Sequence, residues 1–322
     1  MGARDRIRVG IAGTGFAAAS HLDALARVPE VEVVALSGSD AAHTERLAAR
    51  HGVEHAYGSH KQLLEHDGLD AIHNCTINRL HHEVSLAALG RGLHVLSEKP
   101  LALDSGQSSE LAAAAAHAGV VAAVCFNYRH YPLVAQIRAM LAGGEYGAPH
   151  FVHGAYLQDW LLLPTDWNWR LDTADAGLSR AVADIGSHWA DLVQHVTGDP
   201  IVEVFADLAT LHAERLRPDR AWVGRRTAPN LELVRDPRLL SPRAARMARL
   251  PAGHPEGWFD ALCGLLDDFY ASVAARRRGA EPDSDVATFA DGHARVQLVE
   301  AIMASATVGR WTALPAAGEL AA

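Results

Sequence analysis

The feature that most constrains this chain is the alternation of short apolar runs with helical patterns over its first ~125 residues. Ile7–Ala12 is apolar and ends in Gly13-Thr14-Gly15. Ala17–Val28 then sets Leu22, Leu25 and Val28 on one helical stripe. Val31–Leu36, Asp70–Thr76, His94–Ser97 and Val120–Phe126 read as strands. Thr44–His51, Gln62–His66, Glu83–Leu89 and Ser105–His117 read as the helices between them. Strands separated in this way run parallel, through right-handed crossovers. Their near-continuous apolar character requires a sheet covered on both faces. The expected fold class is α/β, with a doubly wound parallel sheet over residues 1–126.

The pattern changes after Tyr131-Pro132, which sets a second domain at 127–322. Leu133–Leu141 reads as a linking helix, and Phe151–Gln158 and Ile201–Leu211 as longer strands flanking a helix over Leu178–Val196. This is an α+β layout with an open, mostly antiparallel sheet. Residues 211–253 are rich in Arg and Pro and give weak strand signals. Gly257–Arg278 carries Leu262, Leu265, Leu266, Phe269 and Val273 on one stripe, and Ala290–Ser305 reads as a last helix.

Composition narrows the function. With 49% apolar residues the chain can form a core, and a net charge of -9 argues against coating nucleic-acid phosphates. No membrane span or signal peptide is expected. Cys75, Cys125 and Cys263 are odd in number and far apart, so reduced thiols in a cytoplasmic protein are expected. Only Lys61 and Lys99 are lysines; Arg supplies every other basic residue. A Lys retained in such a chain points to chemistry that arginine cannot do, because a lysine can be tuned to exchange a proton.

Gly13-Thr14-Gly15-Phe16-Ala17-Ala18 follows a strand and opens a helix, as a Rossmann dinucleotide site requires. Gly13 permits the turn, Gly15 lets the backbone approach a pyrophosphate, and Ala18 allows close packing. At the tip of the second strand stands Ser37-Gly38-Ser39-Asp40. Gly38 takes the place usual for the ribose-binding acid, and the flanking hydroxyls with His43 favour NADP over NAD. Asp40 is the counter-argument.

Glu98-Lys99-Pro100 ends a strand on the edge where ligands bind in open α/β sheets. Pro100 fixes the backbone there, and a cis bond before it would aim Lys99. Asp184, His188 and Asp191 recur at i, i+4 and i+7 and share one face of an ideal helix. His188 is a candidate general acid/base. Such a triad could also ligate a metal, but no further ligands cluster with it, so no metal is expected. Trp160, Trp167, Asn168, Trp169 and Arg170 form an aromatic and polar loop suited to a polyhydroxylated ring. Tyr128 and Arg129 follow a strand and also face the expected cleft. His81-His82-Glu83 reads as a helix start rather than a metal motif.

In order along the chain, Gly13-x-Gly15-x-x-Ala18, Thr76-Ile77-Asn78, Glu98-Lys99-Pro100, Asn127-Tyr128-Arg129 and Asp184-x-Gly186-x-His188-x-x-Asp191 resemble the glucose–fructose oxidoreductase/inositol dehydrogenase/MocA family. The resemblance spans residues 5–212 and resumes near 253–258. It implies NAD(P)-dependent hydride transfer at a ring carbon of a sugar, sugar derivative or cyclitol. Lys99, Asp184 and His188 match the family's catalytic residues. The cofactor would meet Gly13, Thr14, Gly15, Phe16, Ala18, Ser37, Gly38, Ser39, His43, Thr76, Asn78, His81, Glu98 and Lys99. The substrate would meet Lys99, Tyr128, Arg129, Trp167, Trp169, Arg170, Asp184 and His188. Residues 211–253 depart from the family by offering few strands, which shortens the expected sheet and weakens the dimer or tetramer the resemblance implies. Two other readings compete: a non-catalytic dinucleotide sensor or accessory protein, and an NAD-dependent glycosidase of the same fold.

Overall fold

The structure, a computed structural model, describes residues 6–144, 146–215 and 257–315. Strands β1 (Ile7–Ala12), β2 (Val31–Ser37), β3 (His55–Tyr57), β4 (Ala71–Asn74), β5 (His94–Ser97) and β6 (Ala122–Val124) alternate with α1 (Phe16–Leu25), α2 (Ala41–His51), α3 (His60–Leu64), α4 (Asn78–Leu89) and α5 (Ser105–Ala118). The six strands pair in parallel in the order β3-β2-β1-β4-β5-β6. This is the doubly wound Rossmann order, with its switch point between β1 and β4. Strand β1 is buried except at Arg8, and each of the four β4 residues is buried.

The C-terminal part of the chain returns to this sheet. Helix α9 (Trp258–Arg277) lays Leu262, Leu265, Leu266, Phe269 and Val273 on the face that also holds Ile11, Leu22 and Leu96, and all five are 0% exposed. Strand β8 (Ala287–Thr288) pairs antiparallel with β6. Helix α10 (Phe289–Val308) adds Phe289 and Val296 to the opposite core, beside Ile72, Val84, Val95 and Leu111. A capping box between Thr288 and Asp291 starts this helix.

The second lobe holds α6 (Pro132–Ala142), α7 (Thr173–Ala176), a π turn over Val182–Gly186 and α8 (Ser187–Thr197). The long strands expected at Phe151–Gln158 and Ile201–Leu211 differ from what is observed. Phe151–Gln158 joins no ladder, and only β7 (Glu203–Val204) pairs, with β9 (Thr312–Ala313). A β-propensity run becomes a strand only with a partner to satisfy its backbone, and the described residues supply one only at β9. Residues 216–253 of the Arg/Pro-rich interval lie outside the described residues. No helix among the described residues is long and apolar enough to cross a membrane.

Candidate active site

At the β1–α1 turn, Gly13 adopts φ 112°, and a Cβ there would lie 2.2 Å from the Cys75 carbonyl oxygen. Gly15 is the N-cap of α1, and a Cβ on it would meet nothing within 4 Å. No side chain caps this helix and no acid lies in its first turn, whereas α2 and α5 are capped by Asp40 and Asp104. The first N–H groups of α1 are therefore left for an anionic ligand, and their partial positive charge favours one. Ala18 is fully buried against the sheet, as its motif position requires. The residues present fit a dinucleotide pyrophosphate.

A Cβ on Gly38 would fall 2.6 Å from both Thr14 Cγ2 and Thr44 Oγ1, so no larger residue fits there without moving those side chains. Asp40 does not turn back toward the tip; its carboxylate accepts the His43 N–H at 2.9 Å and caps α2. His43 Nε2 contacts the Thr14 carbonyl at 3.0 Å. Ser37 is buried and Ser39 exposed.

Thr76 and Asn78 follow β4. Thr76 donates to Asn74 Oδ1 at 2.7 Å, and Asn78 donates to the Ala176 carbonyl of the second lobe at 3.0 Å. His81 lies between the Pro100 carbonyl, 2.6 Å from Nδ1, and the Thr76 carbonyl, 3.1 Å from Nε2. It ties two loops of the cleft together, and burial lowers its pKa.

Glu98 ends a buried polar chain that the sequence did not reveal. Burial holds His73 neutral, with one N–H. One pattern of donors then satisfies the whole chain: Tyr270 O–H donates to His73 Nε2 (2.7 Å), His73 Nδ1–H to His21 Nδ1 (2.8 Å), and His21 Nε2–H to Glu98 (3.2 Å). Burial pushes the Glu98 carboxyl up, but His21 and Lys99 outweigh it and bring it to about 2. His21, Glu98 and Cys125 place donor atoms within 4.8 Å of one another, a set able to take a metal ion. Burial raises the Cys125 thiol well above its usual pKa. These residues are far apart in sequence, so no spacing rule could have grouped them.

The Lys99–Pro100 bond is cis. Lys99 reaches from the end of β5 into the second lobe, where its Nζ donates to Asp184 Oδ1 at 2.7 Å and to the Asp184 carbonyl at 2.5 Å. Arg170 Nε lies 3.5 Å from Asp184 Oδ1 and Arg180 NH1 3.6 Å from Oδ2. Burial pushes the Asp184 carboxyl up; Lys99, Arg170 and Arg180 outweigh it and hold it well below the usual carboxylate range. His188 follows in α8, its ring 5.6 Å from Phe126 edge-on and 4.6 Å from Tyr128. The Tyr128 and Tyr156 hydroxyls are 2.5 Å apart, and Gln158 donates to Tyr156. Burial and that hydroxyl contact raise the Tyr128 phenol far above its usual pKa, so it stays protonated.

The single face expected for Asp184, His188 and Asp191 is split. The π turn over 182–186 puts an extra residue into one turn and rotates Asp184 away from the line of α8. Asp191 faces Arg129 instead, in a fork with bonds of 2.8 and 2.6 Å, and Asp291 lies 3.7 Å from the same guanidinium. The charge of Arg129 is thus met inside the lobe. Trp169 lies under Arg170, 4.7 Å from its ring, while Trp167 and Phe16 are exposed, Phe16 against Trp258. Tyr156, Gln158 and Arg180 were missed. Only Arg180 left a local signal, its i, i+4 spacing from Asp184.

A sheet in this order, with an uncapped helix behind a glycine turn, defines a dinucleotide-binding Rossmann protein. Residues 7–126 match an oxidoreductase family with an NAD-binding Rossmann fold, and residues 134–230 match the GFO/IDH/MocA C-terminal domain. The chain belongs to the Gfo/Idh/MocA oxidoreductase family. It is 30% identical over 220 residues to levoglucosan dehydrogenase of Pseudarthrobacter phenanthrenivorans, covering 65% of this chain and 55% of that protein. It is 31% identical over 202 residues to 1,5-anhydro-D-fructose reductase of Ensifer adhaerens, covering 62% and 59%. The chain thus spans less than two thirds of these relatives' length. The crystal structure of an oxidoreductase domain protein from Kribbella flavida matches with a TM-score of 0.80 at 28% identity, covering 97% of this chain and 100% of that one.

Proposed function

We propose that this protein is an NAD(P)-dependent dehydrogenase or reductase that moves hydride between a nicotinamide and a ring carbon of a sugar, sugar derivative or cyclitol. The observation that carries this reading is the 2.7 Å contact between Lys99 and Asp184 across the two lobes. When bound, the cofactor would supply or accept the hydride. Gly13, Gly15 and the start of α1 would hold its pyrophosphate. Lys99 donates a hydrogen bond to the reacting oxygen and stabilises negative charge as it develops there. His188 takes the hydroxyl proton in oxidation and returns it in reduction. Asp184 aims Lys99, accepts a neighbouring hydroxyl and remains ionised. Tyr128 and Tyr156 wall the cleft and exclude water.

NADP is the preferred cofactor in this proposal. Asp40 is engaged in capping α2, and no other acid stands at the tip of β2, where Ser39 and His43 face solvent. The test is titration with NADPH and NADH by fluorescence, followed by a sugar and cyclitol panel read by cofactor absorbance. Tighter NADPH binding and turnover of at least one ring alcohol or ketone support the proposal. Tighter NADH binding refutes the NADP preference, and net aglycone release with no cofactor change would identify a glycosidase instead.

A further inference from the structure

The wall of the cleft that bears Asp184 holds more positive charge than Asp184 can neutralise. Lys99, Arg170 and Arg180 all converge on this one carboxylate, at 2.7, 3.5 and 3.6 Å. Arg215 adds a fourth cation; its guanidinium donates to the carbonyls of Leu161, Leu163 and Asp166 and bears on Arg180 electrostatically. Glu98 also faces the charge of Lys99, but no carboxylate other than Asp184 pairs with Arg170, Arg180 or Arg215 among the described residues. Asp166 accepts the Leu163 N–H, Asp172 caps α7, and Asp175 pairs with Arg79 at 2.6 Å. Arg180 Nε is buried with no hydrogen-bond partner among the described residues.

Two guanidinium groups are held ready. Arg180 lies over the Trp160 ring at 4.9 Å and Arg170 over the Trp169 ring at 4.7 Å. The side chains of Lys99, Arg170 and Arg180 are 12, 32 and 24% exposed, so each is partly desolvated yet open to a ligand. A partly buried cation without its counter-charge is costly, and a planar fork of donors matches a carboxylate or phosphate.

We propose that the substrate of this site carries an anionic group, a carboxylate or a phosphate monoester, received by Arg170 and Arg180 while Lys99 serves the reacting hydroxyl. This rests on the hydride-transfer reading and names the substrate class within it. A neutral ring leaves the two guanidinium groups sharing one carboxylate with Lys99. An anionic one completes the set and gains orientation from the two arginine forks.

The experiment measures binding first and turnover second. The full chain, saturated with NADPH, is titrated with glucose, glucuronate and glucose 6-phosphate, and with inositol and an inositol monophosphate, by tryptophan fluorescence. At least one anionic member binds about tenfold or more tightly than its neutral counterpart at low salt, and the advantage shrinks as salt rises. Arg180→Met and, separately, Arg170→Met reduce that ratio several-fold, while Arg46→Met on exposed α2 retains it. Preference for glucuronate identifies a carboxylate, and preference for the phosphate esters a phosphate. No preference for any anionic member, or a preference retained in both cleft variants, overturns the inference. Anion-selective binding without cofactor oxidation or reduction by any panel member upholds the anionic site and counts against the hydride-transfer reading.

Discussion

A methyl group at position 13 would have nowhere to go. It would lie 2.2 Å from a backbone oxygen, on a residue whose φ of 112° disfavours any side chain. Gly13→Ala is expected to lower stability by about 1–3 kcal/mol and to abolish dinucleotide binding, read by urea unfolding and NADPH fluorescence. Unaltered NADPH affinity in that variant would contradict the assignment of the turn. Position 15 behaves differently, since a Cβ there meets no protein atom. Gly15→Ala should fold normally and lose NADPH affinity. These two roles were legible in the sequence because a glycine fingerprint encodes local backbone geometry. Lys99 was legible through rarity, as one of two lysines. The partners of Glu98 were not: His21, His73 and Tyr270 come from three elements, and Tyr270 stands 197 positions from His73. The partners of Arg129 were hidden for the same reason, because Asp191 and Asp291 arrive from two distant helices.

At the scale of elements, strong patterns gave type and order, and contacts decided the rest. The alternating segments became β1, β2, β4, β5, β6 and α1 to α5, because a covered parallel sheet imposes its pattern on each strand separately, whereas the three-residue edge strand β3 carried no such pattern. Phe151–Gln158 has strand-forming residues and no ladder, since pairing depends on a neighbour that one segment cannot announce. The π turn at Val182–Gly186 was equally hidden, and it decides that Asp184 meets Lys99 while Asp191 meets Arg129. Helix α2 offers a direct test of the cofactor reading. Asp40→Ala removes an N-cap and should cost about 1 kcal/mol in unfolding free energy, with NADH affinity unchanged. A marked loss of NADH affinity would mean that Asp40 reaches the ribose, and the NADP preference would fall.

For the whole molecule, buried neutral histidines set the response to acid. Burial, aided by nearby arginines, lowers His94, His130 and His195 from 6.5 to about 4. The unfolded chain takes up these protons near pH 6.5, while the folded chain resists them until about pH 4. Their contribution to stability is therefore complete above pH 6.5 and is lost as pH falls toward 4. The thermal midpoint should fall steadily from pH 7 to pH 4.5, by several degrees or more. A flat or rising midpoint over that interval would contradict the burial of these rings. The two lobes also depend on one another, since α9 and β8 complete the first sheet and its core. A chain cut after residue 126 would expose the face that α9 covers, so the dinucleotide-binding half should not fold stably alone.

In the proposed reaction an amine from one lobe and an imidazole from the other handle a single proton and a single developing charge. Steady-state turnover and NADPH dissociation constants of Lys99→Met and His188→Ala, measured side by side with the unaltered chain, test it most directly. Each variant should lose ~10²–10⁴-fold in kcat, with NADPH affinity within about threefold of normal. Near-normal turnover in both variants would contradict it, as would a loss of activity that simply follows a loss of NADPH binding.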